Sequence, residues 1–205
     1  MGICYVVGAG EFGDEFPSLL AEDMLIACDG GYDYCREKGV AMDMVVGDFD
    51  SLKYVPKHPG VVRLKPEKDD TDTGWAVKEG WKRGYRRFII YGGTGGRISH
   101  TMANIQLLAW LASMGGEGCL AGKNSRYYVI CNGEMCFEAK EEGYLSVFCL
   151  GERAEGVYES GLKYELDNAV LVKENPIGVS NEFIGRRSRV AVRNGMLLLI
   201  QEVLE

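Results

Sequence analysis

The strongest constraint on the fold is a change of sequence pattern near residue 122. Before it, short apolar runs of strand length alternate with segments of helical periodicity. The strand-like runs are residues 3–7, 24–28, 44–46, 61–64 and 88–91, and the helical segments are residues 73–81 and 100–114. Such alternation predicts an α/β domain over residues 1–122, with a mainly parallel sheet covered by helices on both faces.

The second part of the chain has a different pattern, dominated by β-forming runs and two Asn-Gly pairs. Asn132-Gly133 lies between runs 126–131 and 134–139, and Asn194-Gly195 lies between runs 188–193 and 196–200. Because Asn-Gly favours tight turns with positive φ, each pair predicts a β-hairpin. With further strands at 144–150 and 169–172, residues 123–205 are predicted to form a smaller all-β sandwich domain.

Charge and cysteine content narrow the class of protein. The net charge of −7 and pI near 5.0 disfavour nucleic acid as a partner, because phosphate-backbone binding depends on clustered Lys and Arg. Seven cysteines without a CxxC pair are typical of free thiols in a reducing compartment. The N-terminus lacks a signal-peptide pattern, and the apolar segment 105–114 is too short to span a bilayer. We therefore expect a cytoplasmic protein without a membrane partner.

Two aspartates directly follow the predicted strand 44–46. In an extended chain, residues two apart point the same way, so Asp48 and Asp50 are expected to aim together at the carboxyl edge of the sheet. Like charges this close favour a cation between them, and Mg²⁺ prefers carboxylate oxygen. An EF-hand is excluded because Lys53 stands where the loop needs glycine. The alternative for an isolated Asp pair is a solvated turn.

Two further acidic groups follow the same logic. Asp69, Asp70 and Asp72 stand beside Lys68 just before the helical segment 73–81, where they could cap the helix or bind metal and phosphate. Asp29-Gly30-Gly31 follows the strand 24–28. Because three strand ends deliver carboxylates to one edge of a parallel sheet, their convergence predicts a ligand site there.

Two glycine-rich loops follow predicted strands. Gly92-Gly93-Thr94-Gly95-Gly96-Arg97 precedes a helix that begins near His100, an arrangement that binds phosphate through backbone N–H groups, although a flexible turn is the alternative. No Gly-Lys-Ser/Thr follows, so the loop is not a Walker loop. Residues 8–13 fit GxGxxG, but Glu11, Asp14 and Glu15 would crowd a pyrophosphate and Pro17 interrupts the following helix. A dinucleotide-binding fold is therefore disfavoured.

In their order, these motifs resemble those of the thiamin pyrophosphokinase family. The corresponding segments are 29–31, 47–51, 68–72 and 93–97, followed in the β half by 160–164 and 180–181. The resemblance implies an α/β catalytic domain, a β-sandwich domain, and a homodimer with active sites in clefts between subunits. It also implies transfer of diphosphate from ATP to thiamin, which gives thiamin diphosphate and AMP.

The resemblance also implies roles for individual residues. Asp48, Asp50, Asp69 and Asp72 would hold Mg²⁺ and position phosphates. For the reaction itself we predict Asp48, Asp50 and Asp72 as catalytic residues, with Asp72 or Asp50 as the base. The residues expected to bind ATP are Asp29, Gly30, Gly31, Lys68, Asp69, Thr71, Thr94, Gly95, Gly96, Arg97 and His100. Ser160, Ser180 and Asn181 would lie near thiamin.

Two positions depart from the family pattern. Ser99 stands where a loop carboxylate is usual, and Gly74 stands where a glutamate usually follows Thr-Asp-Thr. Weaker metal binding or a changed acceptor is therefore an open expectation. The alternative functions are a pyrophosphokinase for another hydroxymethyl heterocycle, such as a pterin, and a non-catalytic nucleotide or thiamin binder.

Overall fold

A computed structural model describes residues 2–13, 16, 18–65, 67 and 69–202. The chain divides into two compact units, which are described separately below. Unit 1 comprises Met1–Leu107 and Gly116–Lys123, and unit 2 comprises Leu108–Gly115 and Asn124–Glu205. No helix within the described residues is long and apolar enough to cross a membrane.

Unit 1 is built on a parallel sheet. Its elements are β1 (Cys4–Val7), β2 (Met24–Cys28), α1 (Gly31–Glu37), β3 (Met44–Gly47), β4 (Val61–Arg63), α2 (Asp72–Lys82), β5 (Arg87–Tyr91), the first part of α3 (Ile98–Ser113) and β6 (Glu117–Ala121). The strand order is β6-β5-β1-β2-β3-β4, and every neighbouring pair is parallel. All the strands therefore end at one edge, where ligands bind in open α/β sheets.

The two short helices of unit 1 pack on opposite faces of this sheet. Tyr32 and Cys35 of α1 share a buried cluster with Tyr5 and Val7. On α2, Gly80 lies against Cys4, whose side chain points to the other face because side chains alternate along a strand. Burial on both faces explains why β1, β2 and β3 are continuous apolar runs in the sequence.

Unit 2 is antiparallel. After the end of α3, its strands are β7 (Ser125–Cys131), β8 (Glu134–Phe137), β9 (Tyr144–Cys149), β10 (Arg153–Ser160), β11 (Leu166–Val172), β12 (Gly178–Glu182), β13 (Ser188–Asn194) and β14 (Met196–Glu202). One set has the order β12-β9-β14-β7 and the other β11-β10-β13-β8. Side chains from both sets form one buried core, which includes Leu145 and Leu199 from the first and Val157 and Val190 from the second.

The hairpins predicted at the two Asn-Gly pairs are wrong. At each pair, the flanking strands belong to different sheets, because β7 pairs with β14 whereas β8 pairs with β13. The turns instead carry the chain across the core, and they contact each other. The side chain Oδ1 of Asn132 accepts a hydrogen bond from the N–H of Gly195 at 2.8 Å. Only one residue of each pair, Asn132 (φ 49°) and Gly195 (φ 124°), has the positive φ that the sequence predicted for both residues.

The predicted mixed α/β class is confirmed by the parallel sheet of unit 1 and the antiparallel sheets of unit 2. The five strands predicted in the first half agree with β1 to β5 within a residue at each end. Helix α1 and strands β6, β10 and β12 were not predicted. All seven cysteines are free, with Cys4, Cys28 and Cys35 buried.

Candidate active site

A cleft of about 510 Å³ opens at the carboxyl edge of the parallel sheet in unit 1. Its lining residues come from the loops that follow β1, β2, β3 and β5 and from the starts of α2 and α3. They are Gly8, Ala9, Gly10, Cys28, Asp29, Asp48, Asp50, Ser51, Thr71, Asp72, Thr73, Gly92, Gly93, Thr94, Gly95, Gly96, Arg97, His100 and Asn104. The cleft therefore lies where the parallel topology predicts a ligand site.

Three carboxylates meet in this cleft. Asp29 follows β2, Asp48 follows β3, and Asp72 is the first residue of α2. Each offers an oxygen atom, and these three oxygens lie within 4.8 Å of one another. All three residues are half-buried, so the carboxylates repel one another in a partly desolvated place. Three converging carboxylate oxygens beside open space fit a hard divalent cation such as Mg²⁺.

The backbone around Asp29 is held in an uncommon conformation. Asp29 has φ 47°, in the left-handed region that non-glycine residues rarely occupy. Its N–H donates to the carbonyl of Val46 at 2.8 Å, and its carbonyl accepts from the N–H of Tyr32 at 2.9 Å. Its Oδ2 accepts from the hydroxyl of Ser51 at 2.5 Å. These contacts fix the Asp29 carboxylate relative to the loop that carries Asp48.

Asp48 and Asp50 both line the cleft, but the extended geometry predicted between them does not occur. Strand β3 ends at Gly47, and Phe49 has φ 64°, so the chain turns sharply between the two aspartates. Oδ1 of Asp48 accepts from the N–H of Asp50 at 3.1 Å. Asp48 is half-buried and belongs to the carboxylate group, whereas Asp50 is exposed and stands outside it.

The acidic residues of segment 69–72 have different surroundings. Thr71 is the N-cap of α2, and its hydroxyl accepts from the N–H of Gly74 at 3.0 Å. Asp70 accepts from the N–H of Thr71 at 3.0 Å and from the Lys78 ammonium at 2.5 Å. Asp69 is exposed and lies outside both the carboxylate group and the cleft lining, so of this segment's aspartates only Asp72 faces the site. Lys68 lies outside the described residues.

The loop between β5 and α3 forms a second wall of the cleft. Gly95 (φ 76°) and Gly96 (φ 57°) turn the chain, and Arg97 and His100 are exposed at the start of α3. Among the described residues, the buried Oγ1 of Thr94 has no hydrogen-bond partner. The buried amide of Asn104 donates to the carbonyl of Gly93 at 2.8 Å and so braces the loop. Backbone N–H groups and a free hydroxyl at a helix start suit a phosphate.

The GxGxxG segment packs against this loop. The N–H groups of Gly8, Gly10 and Glu11 donate to the carbonyls of Tyr91, Gly92 and Thr94 at 2.8, 2.7 and 2.8 Å. A Cβ atom at Gly10 would lie 2.2 Å from the carbonyl oxygen of Thr94, so the close approach requires glycine. The glycines of this segment therefore serve loop packing, and they bring Gly8 to Gly10 into the cleft lining.

The two departures from the family pattern have different surroundings. A Cβ atom at Gly74 would lie 2.1 Å from Oδ1 of Asp70, so the Asp70 carboxylate already occupies the space beside α2 that a larger residue would need. Ser99 is exposed in the first turn of α3 and does not line the cleft. Neither change removes a member of the three-carboxylate group.

Gly30, Gly31 and the unit 2 residues stand outside the cleft lining. Gly30 is the N-cap of α1, and Gly31 is buried against β1. Ser160 ends β10 and is exposed. Ser180 is exposed with φ 57°, and Asn181 is buried beside it in β12.

Several cleft residues were not singled out from the sequence. Asn104 lies four residues after His100, on the same helix face, and that spacing was a usable signal. Gly8 to Gly10 follow β1 at the ligand edge, but their motif was weighed only as a dinucleotide fingerprint. Cys28 lines the cleft and is buried. Its burial raises the pKa of its thiol well above the usual value, and the nearby charge of Asp72 adds to this shift. It is therefore a thiol, not a nucleophilic thiolate.

The comparisons with known proteins agree along nearly the whole chain. Residues 17–117 match the family model described as "Thiamin pyrophosphokinase, catalytic domain". Residues 134–197 match that described as "Thiamin pyrophosphokinase, vitamin B1 binding domain". Together these matches span well over half of the sequence.

Individual relatives give the same result. The thiamine pyrophosphokinase of Bacillus subtilis (strain 168) is 27% identical over 183 residues, which are 86% of each chain. A crystal structure of thiamine pyrophosphokinase from Bacillus subtilis superposes with a TM-score of 0.85 at 25% identity, covering 98% of this chain and 99% of that one. A thiamin pyrophosphokinase family protein from Enterococcus faecalis superposes with a TM-score of 0.84 at 27% identity, with the same coverage. With both of its units matched in this way, the chain belongs to the thiamin pyrophosphokinase family.

Proposed function

We propose that this protein is an ATP-dependent thiamin diphosphokinase, which transfers the diphosphate of ATP to the hydroxyl of thiamin and releases AMP. The observation that carries the proposal is the meeting of Asp29, Asp48 and Asp72 in one cleft with a glycine loop at a helix start. A carboxylate group suits a metal-bound polyphosphate, and backbone N–H groups suit the phosphates themselves. Membership of the family supplies the acceptor.

The chemistry is an in-line displacement at the β-phosphorus of ATP. The thiamin oxygen forms the new bond, the bond from β-phosphorus to the oxygen shared with the α-phosphate breaks, and AMP leaves with that oxygen. A bound Mg²⁺ would neutralise charge on the phosphate oxygens. Asp72 or Asp50 would accept the hydroxyl proton, since both line the cleft. Of the two, Asp50 lies outside the three-carboxylate group and would not have to hold the metal as well.

The remaining residues of unit 1 would orient ATP. Asp29, Asp48 and Asp72 would hold the metal, and the loop 92–97 would receive phosphate oxygens through its N–H groups, the hydroxyl of Thr94 and the guanidinium of Arg97. His100 and Thr71 stand at the starts of α3 and α2, where the positive end of the helix dipole favours an anion. Asp69 has a weaker case as a ligand because it is exposed and outside the group.

The wider organisation belongs to the same proposal. Residues 1–122 act as the α/β catalytic domain and residues 123–205 as a thiamin-binding β-sandwich, with Ser160, Ser180 and Asn181 on the thiamin side. The functional protein is a cytoplasmic homodimer, as the family resemblance implies.

The direct test is AMP release by the purified protein with ATP and Mg²⁺, with and without thiamin and again with EDTA. The proposal expects AMP that requires thiamin and disappears with EDTA. Calorimetric thiamin binding without AMP would instead identify a non-catalytic binder. AMP that depends on a pterin alcohol and not on thiamin would identify a different acceptor.

A further inference from the structure

Unit 2 contains a carboxyl group in an unusual place. Glu159, on β10, is 1% exposed and points into the apolar core. Its paired residues on the two adjacent strands are Leu166 on β11 and Val190 on β13, and neither is charged. One oxygen, Oε2, accepts a hydrogen bond from the amide of Asn181 at 2.9 Å. The other, Oε1, is buried and has no hydrogen-bond partner among the described residues.

Asn181, in turn, has all its hydrogen-bonding capacity occupied by the protein. Its Nδ2 donates to Glu159 and to the carbonyl of Tyr164, the latter at 2.6 Å. Its Oδ1 accepts from the N–H groups of Tyr164 and Glu182, each at 3.0 Å. An asparagine amide has two donors and two acceptor lone pairs. Asn181 is 5% exposed and has no group left for a ligand.

The surroundings allow only one orientation of this amide. A flip by 180° would set Oδ1 against the oxygens of Glu159 and Tyr164, and Nδ2 against the two N–H groups. Such contacts between like groups in a buried place are strongly unfavourable. Glu159 is the only side chain among these partners, so it is the partner that a substitution can change.

The buried pair of Glu159 and Asn181 lies beside two exposed parts of unit 2: the segment that follows Ser160, and Ser180 itself. Through both backbone groups of Tyr164, Asn181 fixes the segment that follows Ser160, and the N–H of Lys163 adds a bond to the carbonyl of Glu182 at 3.0 Å. Beside Asn181 lies Ser180, whose left-handed backbone coincides with a register shift between β12 and β9. The N–H of Ser180 donates to the buried hydroxyl of Ser146 at 3.0 Å. A strained, exposed residue of this kind keeps its conformation only where its neighbours fix it.

We propose that Glu159 and Asn181 are positioning residues for the acceptor alcohol: the buried pair fixes the segment Ser160 to Tyr164 and the strained Ser180, without touching the substrate. This inference rests on the proposed function, because it takes these segments as the thiamin side. It makes Asn181 a residue that acts on thiamin indirectly, although the family resemblance only places it near thiamin, and it assigns a role to Glu159, which the sequence did not single out.

The test is an exchange of hydrogen-bonding roles between the two residues, measured as kcat and separate KM values for thiamin and ATP. Asn181→Asp sets two carboxyl groups against each other, and we expect the KM for thiamin to rise by about 10-fold with the KM for ATP unchanged. Glu159→Gln in that background restores a donor facing an acceptor, and it should recover at least roughly threefold of the loss. Glu159→Gln alone keeps the acceptor for Asn181 and should have almost no effect.

Direct contact and positioning give different results. If Asn181 bonded thiamin itself, a change at Glu159 could not rescue Asn181→Asp, and equal KM values in the single and double variants would overturn the inference. A large rise in the KM for thiamin in Glu159→Gln alone would also overturn it, since it would indicate a carboxylate that contacts substrate. Glu155→Gln is the matched control: it removes an exposed ion pair with Arg153 on β10, the strand that carries Glu159, and should leave all constants unchanged.

A second variant covers the case in which Asn181→Asp does not fold. Glu159→Leu removes one acceptor of the Asn181 amide without adding charge, and the KM for thiamin should rise roughly threefold at an unchanged KM for ATP. An unchanged KM for thiamin would refute the pair's role while leaving the proposed function intact. Failure of the wild-type protein to release thiamin-dependent AMP would refute both.

Discussion

The two units use acidic side chains in opposite ways. In unit 1, Asp29, Asp48 and Asp72 are half-buried, come from three elements and line an open cleft, so a bound cation would relieve their mutual repulsion. In unit 2, Glu159 is enclosed in the core and faces Asn181, a partner supplied by the chain. The difference teaches that several carboxylates converging beside a cleft indicate a ligand, whereas a single buried carboxyl group with an oriented partner indicates positioning.

The largest effect should be the loss of turnover in Asp48→Asn, which tests whether the three carboxylates of unit 1 form the catalytic centre. The substitution keeps the shape of the side chain and removes one of the three charges, so turnover should fall by about 10³-fold or more. The variant should remain folded, because its amide keeps the oxygen that accepts a hydrogen bond from the N–H of Asp50. Activity is measured by AMP release and stability by calorimetry. Wild-type turnover in the purified variant would remove Asp48 from the catalytic centre.

The next effect concerns the contact between the two loops of the cleft. In Gly10→Ala the new Cβ would meet the carbonyls of Thr94 and Gly92, so we expect a loss of about 1–3 kcal/mol in the free energy of unfolding, together with weaker ATP binding. Gly151→Ala is the control, because no atom lies within 4 Å of its added Cβ. Denaturant unfolding and ATP calorimetry measure the two effects. Equal stability of both variants would contradict this packing.

A smaller effect is expected at the crossing turns of unit 2. Asn132→Ala loses the hydrogen bond to Gly195 and strains a left-handed backbone, which should cost about 1–2 kcal/mol of stability without changing the KM for ATP. Asn132→Gly keeps the conformation and loses only the bond, so its stability should lie between those of wild type and Asn132→Ala. If the two variants are equally stable, backbone strain does not contribute.

The smallest effect is a pH dependence of stability in unit 2. Burial raises the pKa of Glu159 above its usual 4.5, although the hydrogen bond from Asn181 opposes the shift. The folded state therefore holds this proton more tightly than the unfolded state, so the contribution is largest below pH 4.5 and is lost as pH rises through the raised pKa. Glu159→Gln does not titrate. The melting temperature of Glu159→Gln relative to that of wild type should therefore rise as pH increases. If the difference between the two melting temperatures does not depend on pH, the pKa of Glu159 is not raised.

The sequence predicted the parallel edge of unit 1 because β1, β2 and β3 are fully buried apolar runs with Gly or Asp directly after them, and the ends of parallel strands meet at one edge. It did not predict which acids converge. The left-handed turn at Phe49 and the capping of α2 by Thr71 set the directions of the side chains, and neither follows from spacing alone.

In unit 2 the sequence did not predict which strands pair. An Asn-Gly pair indicates a tight turn with positive φ, but it does not indicate which strands pair with each other. Whether the strands on either side join one sheet or two depends on long-range packing, and here Asn132 and Gly195 bond to each other across 63 residues. Glu159 lies next to a recognised motif, but an isolated glutamate in a strand reads as a surface residue until its burial is known.

The central claim is that Asp29, Asp48 and Asp72 form the metal-binding group, in place of a set that includes Asp69. The measurement is the affinity for Mn²⁺, determined by calorimetry without nucleotide, in wild type, Asp29→Asn and Asp69→Asn. Both substitutions remove one negative charge, and asparagine tolerates the left-handed backbone at residue 29. The account predicts that Asp29→Asn weakens Mn²⁺ binding by about 10-fold or more, with Asp69→Asn close to wild type. The reverse order, with Asp69→Asn weakened and Asp29→Asn unchanged, would contradict it.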